Sequence, residues 1–492
     1  MKRYIIALDE GTTSARSLIY DAKDNQIISI VNKKFTQYFP KVGWVEHDAN
    51  EIWSAMSNTL EQAIKESKIT IDEIIGIGIT NQRESIVAWD KTTGESICPS
   101  IVWQCRRTKD FCETIDNKTR KYIKKTTGLI LDPYFSATKI KWLLDNNKKV
   151  QKLLEEDKLC IGTIDSFITY KLSSGELFIT DTSNASRTML YDIHNLCWDS
   201  KLLKFFGIPE KILPKVVSNG KPLGFAHTKY GDIVIGSILG DQQSSLFGQG
   251  CFDTGLAKAT YGTGCFILSN TGSEIKLLDN MLSTIAWTIN NKTTYAMEGS
   301  IFNAGTIVNW MIDDIGLLKS NKESSEIAES IDNTNGVYLV PAFTGLGAPY
   351  WNSDCTGTIV GITRGTNKKH IIRAGLESMA YNTYDIIDNM ETSGIRIKEL
   401  RVDGGVSRNE FLMQFQSDIL GKRIIKSNSS ECTALGTIFM TGLATGYYKN
   451  LSEIKQLIKD TKIYTPNKKK EKMDQLINEW HKAINMTIGV NK

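Results

Sequence analysis

Apolar residues fall in short runs along this chain, and the runs stop abruptly at acids, glycines and hydroxyls. Ile5-Ile6-Ala7-Leu8 stops at Asp9; Gly11, Thr12, Thr13 and Ser14 follow, then Arg16 and a second apolar run. Two runs around a small polar turn predict a β-hairpin, and NQIISI (25–30) predicts a third strand. The pattern returns in GLAKATYGTGCFILSNTG (255–272), where Gly262-Thr263-Gly264 makes the turn. Each half also carries a later apolar strand that ends in polar residues, IIGIGITNQRE (74–84) and LRVDGGVSRNEFLMQFQSDIL (400–420). In the second, Phe411, Leu412, Phe415 and Ile419 recur at helical spacing. The pattern predicts an α/β protein of two similar domains, 1–248 and 249–492, around a common cleft. Ligands of such sheets sit beyond the carboxyl ends of the strands, where loops and helix N-termini point.

Length and composition agree with that division. A chain of 492 residues is too long for one core, and 41% hydrophobic residues can fill two. Lys+Arg 59 against Asp+Glu 55 leaves +4, which is no electrostatic footprint for nucleic acid. The basic run NKKKEK (467–472) reads as a solvated helix start. The apolar run before Asp9 is too short for a signal-peptide core, and no run approaches the ~18 apolar residues of a membrane span. The nine cysteines form no CxxC pair and the five histidines are dispersed, which points to buried reduced thiols rather than disulfides or a zinc site. A cytoplasmic enzyme is expected.

Five stretches carry candidate chemistry. The hairpin tip Asp9–Arg16 is either a plain polar turn or a cradle for nucleotide phosphates. TNQRES (80–85) sets Arg83 beside Glu84 at a strand end, either as a surface ion pair or as a joint grip on vicinal hydroxyls. Trp103 in IVWQCRRT and Tyr134 in LDPYFSATKIKW either line a small pocket or fill core. The sharpest candidate is Asp241 in SILGDQQSS (237–245), because a carboxylate at a buried strand end must be paired or useful. Phosphoryl transfer to an alcohol needs a proton acceptor, Mg²⁺ and backbone amides on the phosphates. Asp241 offers the base, Asp9 the Mg²⁺ anchor, and the two hairpin turns the cradles. No GxxxxGK[ST] or protein-kinase catalytic loop is present.

These motifs, with GWVEHD (43–48), TSNASRTML (182–190), YGTGCF, VPAFTGLGAPYW (340–351) and RVDGG, run nearly end to end. Together they resemble the FGGY carbohydrate kinases. The resemblance implies two ribonuclease-H-like domains of the actin-like ATPase fold facing across a catalytic cleft. NQRE with WQCRR is similar to the members that phosphorylate glycerol rather than pentuloses; another FGGY kinase acting on a ketose or sugar alcohol is the alternative. A non-catalytic actin/Hsp70-type ATPase would have no use for NQRE or GDQQ.

By position, the resemblance implies that Arg83, Glu84, Tyr134, Asp241 and Gln242 hold glycerol between the apolar walls Trp103 and Phe266. Asp241 would be the general base. Thr12, Thr13, Ser14 and Arg16 would meet the ATP/ADP phosphates from one domain, and Thr263 and Gly305 from the other. Asn309, Gly405 and Asn409 would lie by the nucleoside, and Asp9 would hold Mg²⁺. A homo-oligomer, dimer or tetramer, is also implied.

Two departures stand out. Glu10 replaces a common Gln, an unfavourable charge near phosphates unless it points away or finds a cation; Asn309 replaces another Gln. The stretch LGFAHTKYGDIVIG (223–236) is short and has no Arg, with His227 and Lys229 its only cations. Many relatives carry a longer, arginine-bearing loop here that binds fructose 1,6-bisphosphate, and some a phosphoryl-accepting histidine; against that resemblance, the departure implies weak or no inhibition by this effector and an unmodified surface His227.

Overall fold

The strands Tyr4–Glu10 and Ser14–Asp21 pair antiparallel across the Gly11-Thr12-Thr13 turn, and Gln26–Lys34 continues the sheet. On its other side Tyr4–Glu10 runs parallel to Ile74–Asn81, which runs parallel to Gly231–Gly240. Glu10, Asn81 and Gly240 are mutually in register, so three chain-distant strand ends finish at one edge. The computed structural model describes residues 2–490.

The second half repeats the plan. Leu256–Tyr261 and Cys265–Gly272 form the hairpin, and Leu256–Tyr261 runs parallel to Glu399–Asp403, itself parallel to Ile424–Ser427. The two main sheets have six and seven strands. A further five-stranded sheet, not foreseen from the pattern, carries the lobe around Trp103 and Tyr134.

The halves interlock. The helix Cys432–Ala444 lies late in the sequence yet packs on the first-half strands Tyr4–Glu10, Ile74–Asn81 and Gly231–Gly240 and on the helix Asp241–Gly248. Glycine permits that approach. A Cβ on Gly78 would lie 2.5 Å from Thr437 Oγ1, and one on Gly436 would lie 1.8 Å from the Ser244 carbonyl oxygen. Ser237 Oγ meets Thr437 Oγ1 and Thr441 Oγ1, both at 2.8 Å, across the same contact. Ile5, Ala7, Ile75, Leu246, Ala434, Ile438 and Phe439 share one core there.

The run at 467–472 is exposed ahead of and into the helix Lys470–Val490, as the charge pattern predicts. All nine cysteines are free, and all but Cys98 and Cys197 are buried. Among the described residues no helix is long and apolar enough to cross a membrane.

Candidate active site

The registered strand ends bring Asp9, the Gln82–Glu84 turn and Asp241 together. Asp241 opens the helix Asp241–Gly248, where a carboxylate is favoured by the helix dipole. Its Oδ1 accepts from its neighbour Gln242 N at 2.7 Å and faces Arg83 Nε at 3.2 Å; its Oδ2 accepts from Gln242 Nε2 at 2.9 Å. The side chain remains 27% exposed, whereas that of Arg83 is 2% exposed. Gln242 cannot flip, because its Oε1 accepts from the buried ammonium of Lys258, which also donates to Thr260 Oγ1 at 2.9 Å.

Arg83 and Glu84 are both buried, so the surface-pair reading is wrong. They are not each other's main partners either: Arg83 Nε lies 3.9 Å from Glu84 Oε1. Arg83 donates to both oxygens of Glu298, at 2.6 and 3.0 Å. Glu84 accepts from Arg187 Nε at 2.5 Å. Two buried guanidiniums and two buried carboxylates thus balance, as burial of charge requires. Burial pushes the Glu298 carboxyl up, but Arg187 and Arg83 overcome it and hold Glu298 down at about 2. Glu84 also has φ 62, a left-handed backbone costing about 1–2 kcal/mol for a residue other than glycine. Its carbonyl is fixed by Ser136 Oγ at 3.0 Å.

The predicted aromatic residues converge. Trp103 meets Tyr134 edge-on at 5.6 Å and Phe266, from the second half, at 6.1 Å. The Trp103 indole donates to Thr12 Oγ1 at 3.1 Å, so this hydroxyl braces the aromatic wall. Lys139 is fully buried and its ammonium reaches the carbonyls of Pro133, Tyr134 and Phe135, fixing the turn that carries Tyr134.

At the phosphate hairpins, Thr13 and Thr263 are exposed near the tips. Gly305 N donates to the Gly262 carbonyl at 3.0 Å, and a Cβ on Gly305 would lie 2.6 Å from that oxygen. Ser14 is half-buried, while Asn309 and Gly405 are exposed; a Cβ on Gly405 would meet nothing within 4 Å. Asn409 caps the helix Glu410–Leu420 through Leu412 N at 2.9 Å and donates to Ser324 Oγ at 3.0 Å, so its amide already serves the fold. Arg16 joins Asp9 and Glu431, the latter at 2.7 Å, so any phosphate contact would compete with these carboxylates.

Burial pushes the Asp9 carboxyl up against the pull of Arg16, and Glu431 and Asp241 push it further. A hard cation would relieve that excess of oxygen charge. Among the described residues no cluster of three or more His, Cys, Asp or Glu could hold a metal by itself. Mg²⁺ fits this arrangement, because it keeps several waters and takes one or two carboxylates plus substrate phosphates.

Glu10 resolves differently from the two options read in the sequence. It points inward, fully buried, and its partner is Gln82, whose Nε2 donates at 2.7 Å. Burial pushes its carboxyl well above the usual range, against the pull of the hydrogen bonds from Gln82, which disfavours the extra negative charge.

Sequence reasoning missed Glu298, Arg187, Lys258 and Glu431. The segment 181–187 counted toward the resemblance but was given no role in the site. Asp181 accepts from Ser183 N at 2.8 Å and from Asn184 N at 2.9 Å, Ser183 Oγ accepts from Gly240 N at 2.9 Å, and Asn184 exchanges side-chain bonds with Asn81 at 3.1 Å. With Arg187 on Glu84, this short turn braces both strand ends of the pocket. Its run of small polar residues before an arginine was the available signal.

Models of the FGGY family of carbohydrate kinases match the chain over residues 4–248 (N-terminal domain) and 257–445 (C-terminal domain). The chain is 48% identical over 490 residues to a glycerol kinase of Francisella tularensis subsp. novicida, covering 98% of each. Its structure superposes on that of Plasmodium falciparum glycerol kinase with ADP at TM-score 0.91 and 36% identity, covering 98% of each chain. Gluconate kinase from Lactobacillus acidophilus shares the fold at TM-score 0.88 and 24% identity, again over 98% of each chain. The architecture is the two-domain, actin-like ATPase fold, and the chain belongs to the FGGY family of carbohydrate kinases.

Proposed function

We propose that this enzyme transfers the γ-phosphoryl group of ATP to a terminal hydroxyl of glycerol, giving glycerol 3-phosphate and ADP. The observation that carries the reading is Asp241: a carboxylate fixed by Arg83 and Gln242 at a strand end, still open to the cleft, beside a buried polyol-type grip. Near-full-length similarity to glycerol kinases supports the choice of acceptor.

In this reading, Arg83, Glu84, Tyr134 and Gln242 orient the hydroxyls, and Trp103 and Phe266 pack the carbon chain. Asp241 accepts the proton of the attacking hydroxyl as the new O–P bond forms and the bond to the ADP oxygen breaks. Thr12, Thr13, Ser14 and Arg16 from domain 1–248, and Thr263 and Gly305 from domain 249–492, take the phosphates. Asn309, Gly405 and Asn409 border the nucleoside. Asp9 would hold Mg²⁺, which when bound neutralises charge on the β- and γ-phosphates. Free thiols favour a reducing compartment, in keeping with a cytoplasmic enzyme.

The test is ADP release, coupled to an indicator reaction, across glycerol, dihydroxyacetone, xylulose and ribulose. Glycerol should give the highest kcat/KM. A ketose in first place would move the enzyme elsewhere in the family.

A further inference from the structure

A chain of alternating charges runs from the pocket across the boundary between the halves. Glu84 Oε1 accepts from Arg187 Nε at 2.5 Å, and Arg187 Nη2 donates to Glu298 Oε1 at 3.1 Å. Glu298 receives Arg83 through two bonds, and Arg83 Nε ends the chain at Asp241. The first four side chains are at most 2% exposed, and only Asp241 opens to the cleft. Glu298 stands on the strand Lys292–Ile301 of the second half; the other four belong to the first.

We propose that Glu298 is a positioning residue for the substrate pocket: by binding both terminal nitrogens of Arg83 it leaves only the Nε edge toward Asp241, so the second half of the protein sets the orientation of the grip. The proposal rests on the phosphotransfer reading of this site.

A guanidinium is a rigid planar fork, and a two-point bond to one carboxylate fixes its plane. Without Glu298, Nη2 of Arg83 would lose its partner and Nη1 would keep only Gln243 Oε1 at 3.3 Å, so the guanidinium could turn onto Asp241 and occupy the carboxylate that must accept a proton. Arg83 and Arg187 also disfavour one another's charge, and the Glu298 carboxylate lies between them. Removing that charge would leave the two buried cations with Glu84 as their one buried carboxylate and Asp241 at the cleft end, which draws Arg83 toward Asp241. The neighbouring Phe266, also from the second half, shows that the pocket wall depends on the same domain approach.

The experiment is steady-state kinetics on the full-length enzyme, varying glycerol and ATP separately, for Glu298→Gln and Glu298→Asp. Glu298→Gln keeps the shape and loses the charge. It should raise KM for glycerol roughly tenfold to a hundredfold and lower kcat, with KM for ATP near that of the wild type. Glu298→Asp should recover part of the loss. A merely structural role would reduce the folded fraction, counted by stoichiometric binding of an ATP analogue, and leave both KM values in place. That pattern, or an equal rise in both KM values, overturns the proposal. If Glu298→Gln does not fold, the same split in Glu298→Asp decides. A wild-type enzyme unable to phosphorylate glycerol would instead reject the functional reading.

Discussion

Arg83 and Glu84 are neighbours in sequence, yet each is held by a distant partner: Arg83 by Glu298 and Glu84 by Arg187, while the two lie 3.9 Å apart. Removing either half of a buried charge pair leaves its partner unsatisfied, at about 1–3 kcal/mol or more. In double-mutant cycles on glycerol affinity, Arg83→Ala with Glu298→Ala should therefore couple more strongly than Arg83→Ala with Glu84→Ala. A larger coupling for the adjacent residues would contradict the partners seen here.

Asp241 is the exposed end of that chain. Asp241→Asn keeps the shape and most hydrogen bonds but cannot take a proton. The expected result is an intact fold and nucleotide binding with kcat reduced about 10²–10⁴-fold. A rate within a few-fold of wild type at saturating ATP and glycerol would remove Asp241 from the mechanism.

The contact between the helices Asp241–Gly248 and Cys432–Ala444 has no room for a methyl group at Gly436, whose Cβ would lie 1.8 Å from the Ser244 carbonyl oxygen. Backbone cannot yield as a side-chain tip can. Gly436→Ala should destabilise the protein by about 1–3 kcal/mol or more, despite alanine's better helix propensity. Urea unfolding measures this; a neutral or stabilised variant would contradict the close packing.

His47 is fully buried with neither ring nitrogen bonded, and its ring meets Phe35 edge-on at 5.1 Å. Burial alone pushes it down from 6.5 to about 4. The unfolded chain therefore takes the proton first, so this contribution is fully present above pH 6.5 and lost as pH falls toward 4. At about 1.4 kcal/mol per pH unit, the loss approaches about 3 kcal/mol. His47→Phe should flatten this limb of the stability–pH curve, measured by urea unfolding at several pH values. An unchanged slope in the variant would show that His47 is not its source.

The stretch 223–236 offers an anion little. His227 is bonded to Asp232 at 2.8 Å and lies 3.4 Å from Glu176, and Lys229 pairs with Glu61. A bisphosphate needs several free cationic donors. Titrating fructose 1,6-bisphosphate into the glycerol assay should leave the rate nearly unchanged. Incubation with phosphoenolpyruvate and a sugar-phosphotransferase phosphocarrier should give no mass shift that His227→Ala removes. Strong inhibition, or such a shift, would reverse this view.

Local pattern was enough for the two hairpins, the strand at 74–81, the helix after Asp403 and the strand-end position of Asp241. Each depends on alternation, helical spacing or a turn residue within about ten positions, and these are written in neighbouring residues. Two copies of that pattern also implied two halves around one cleft. Sequence could not say which strand ends become neighbours, because register is settled by long-range pairing: Glu10, Asn81 and Gly240 meet only once three distant strands align. Nor could it identify the partners of buried charges. Glu298 is one acid among 55 until the fold places it against Arg83 and Arg187. Glu10 looked like an extra charge near phosphates, and only the fold shows it buried against Gln82, where loss of water pushes its carboxyl well above the usual range. The ionisation of such groups depends on the loss of water around them and on the charges that replace it, and tertiary structure alone decides both.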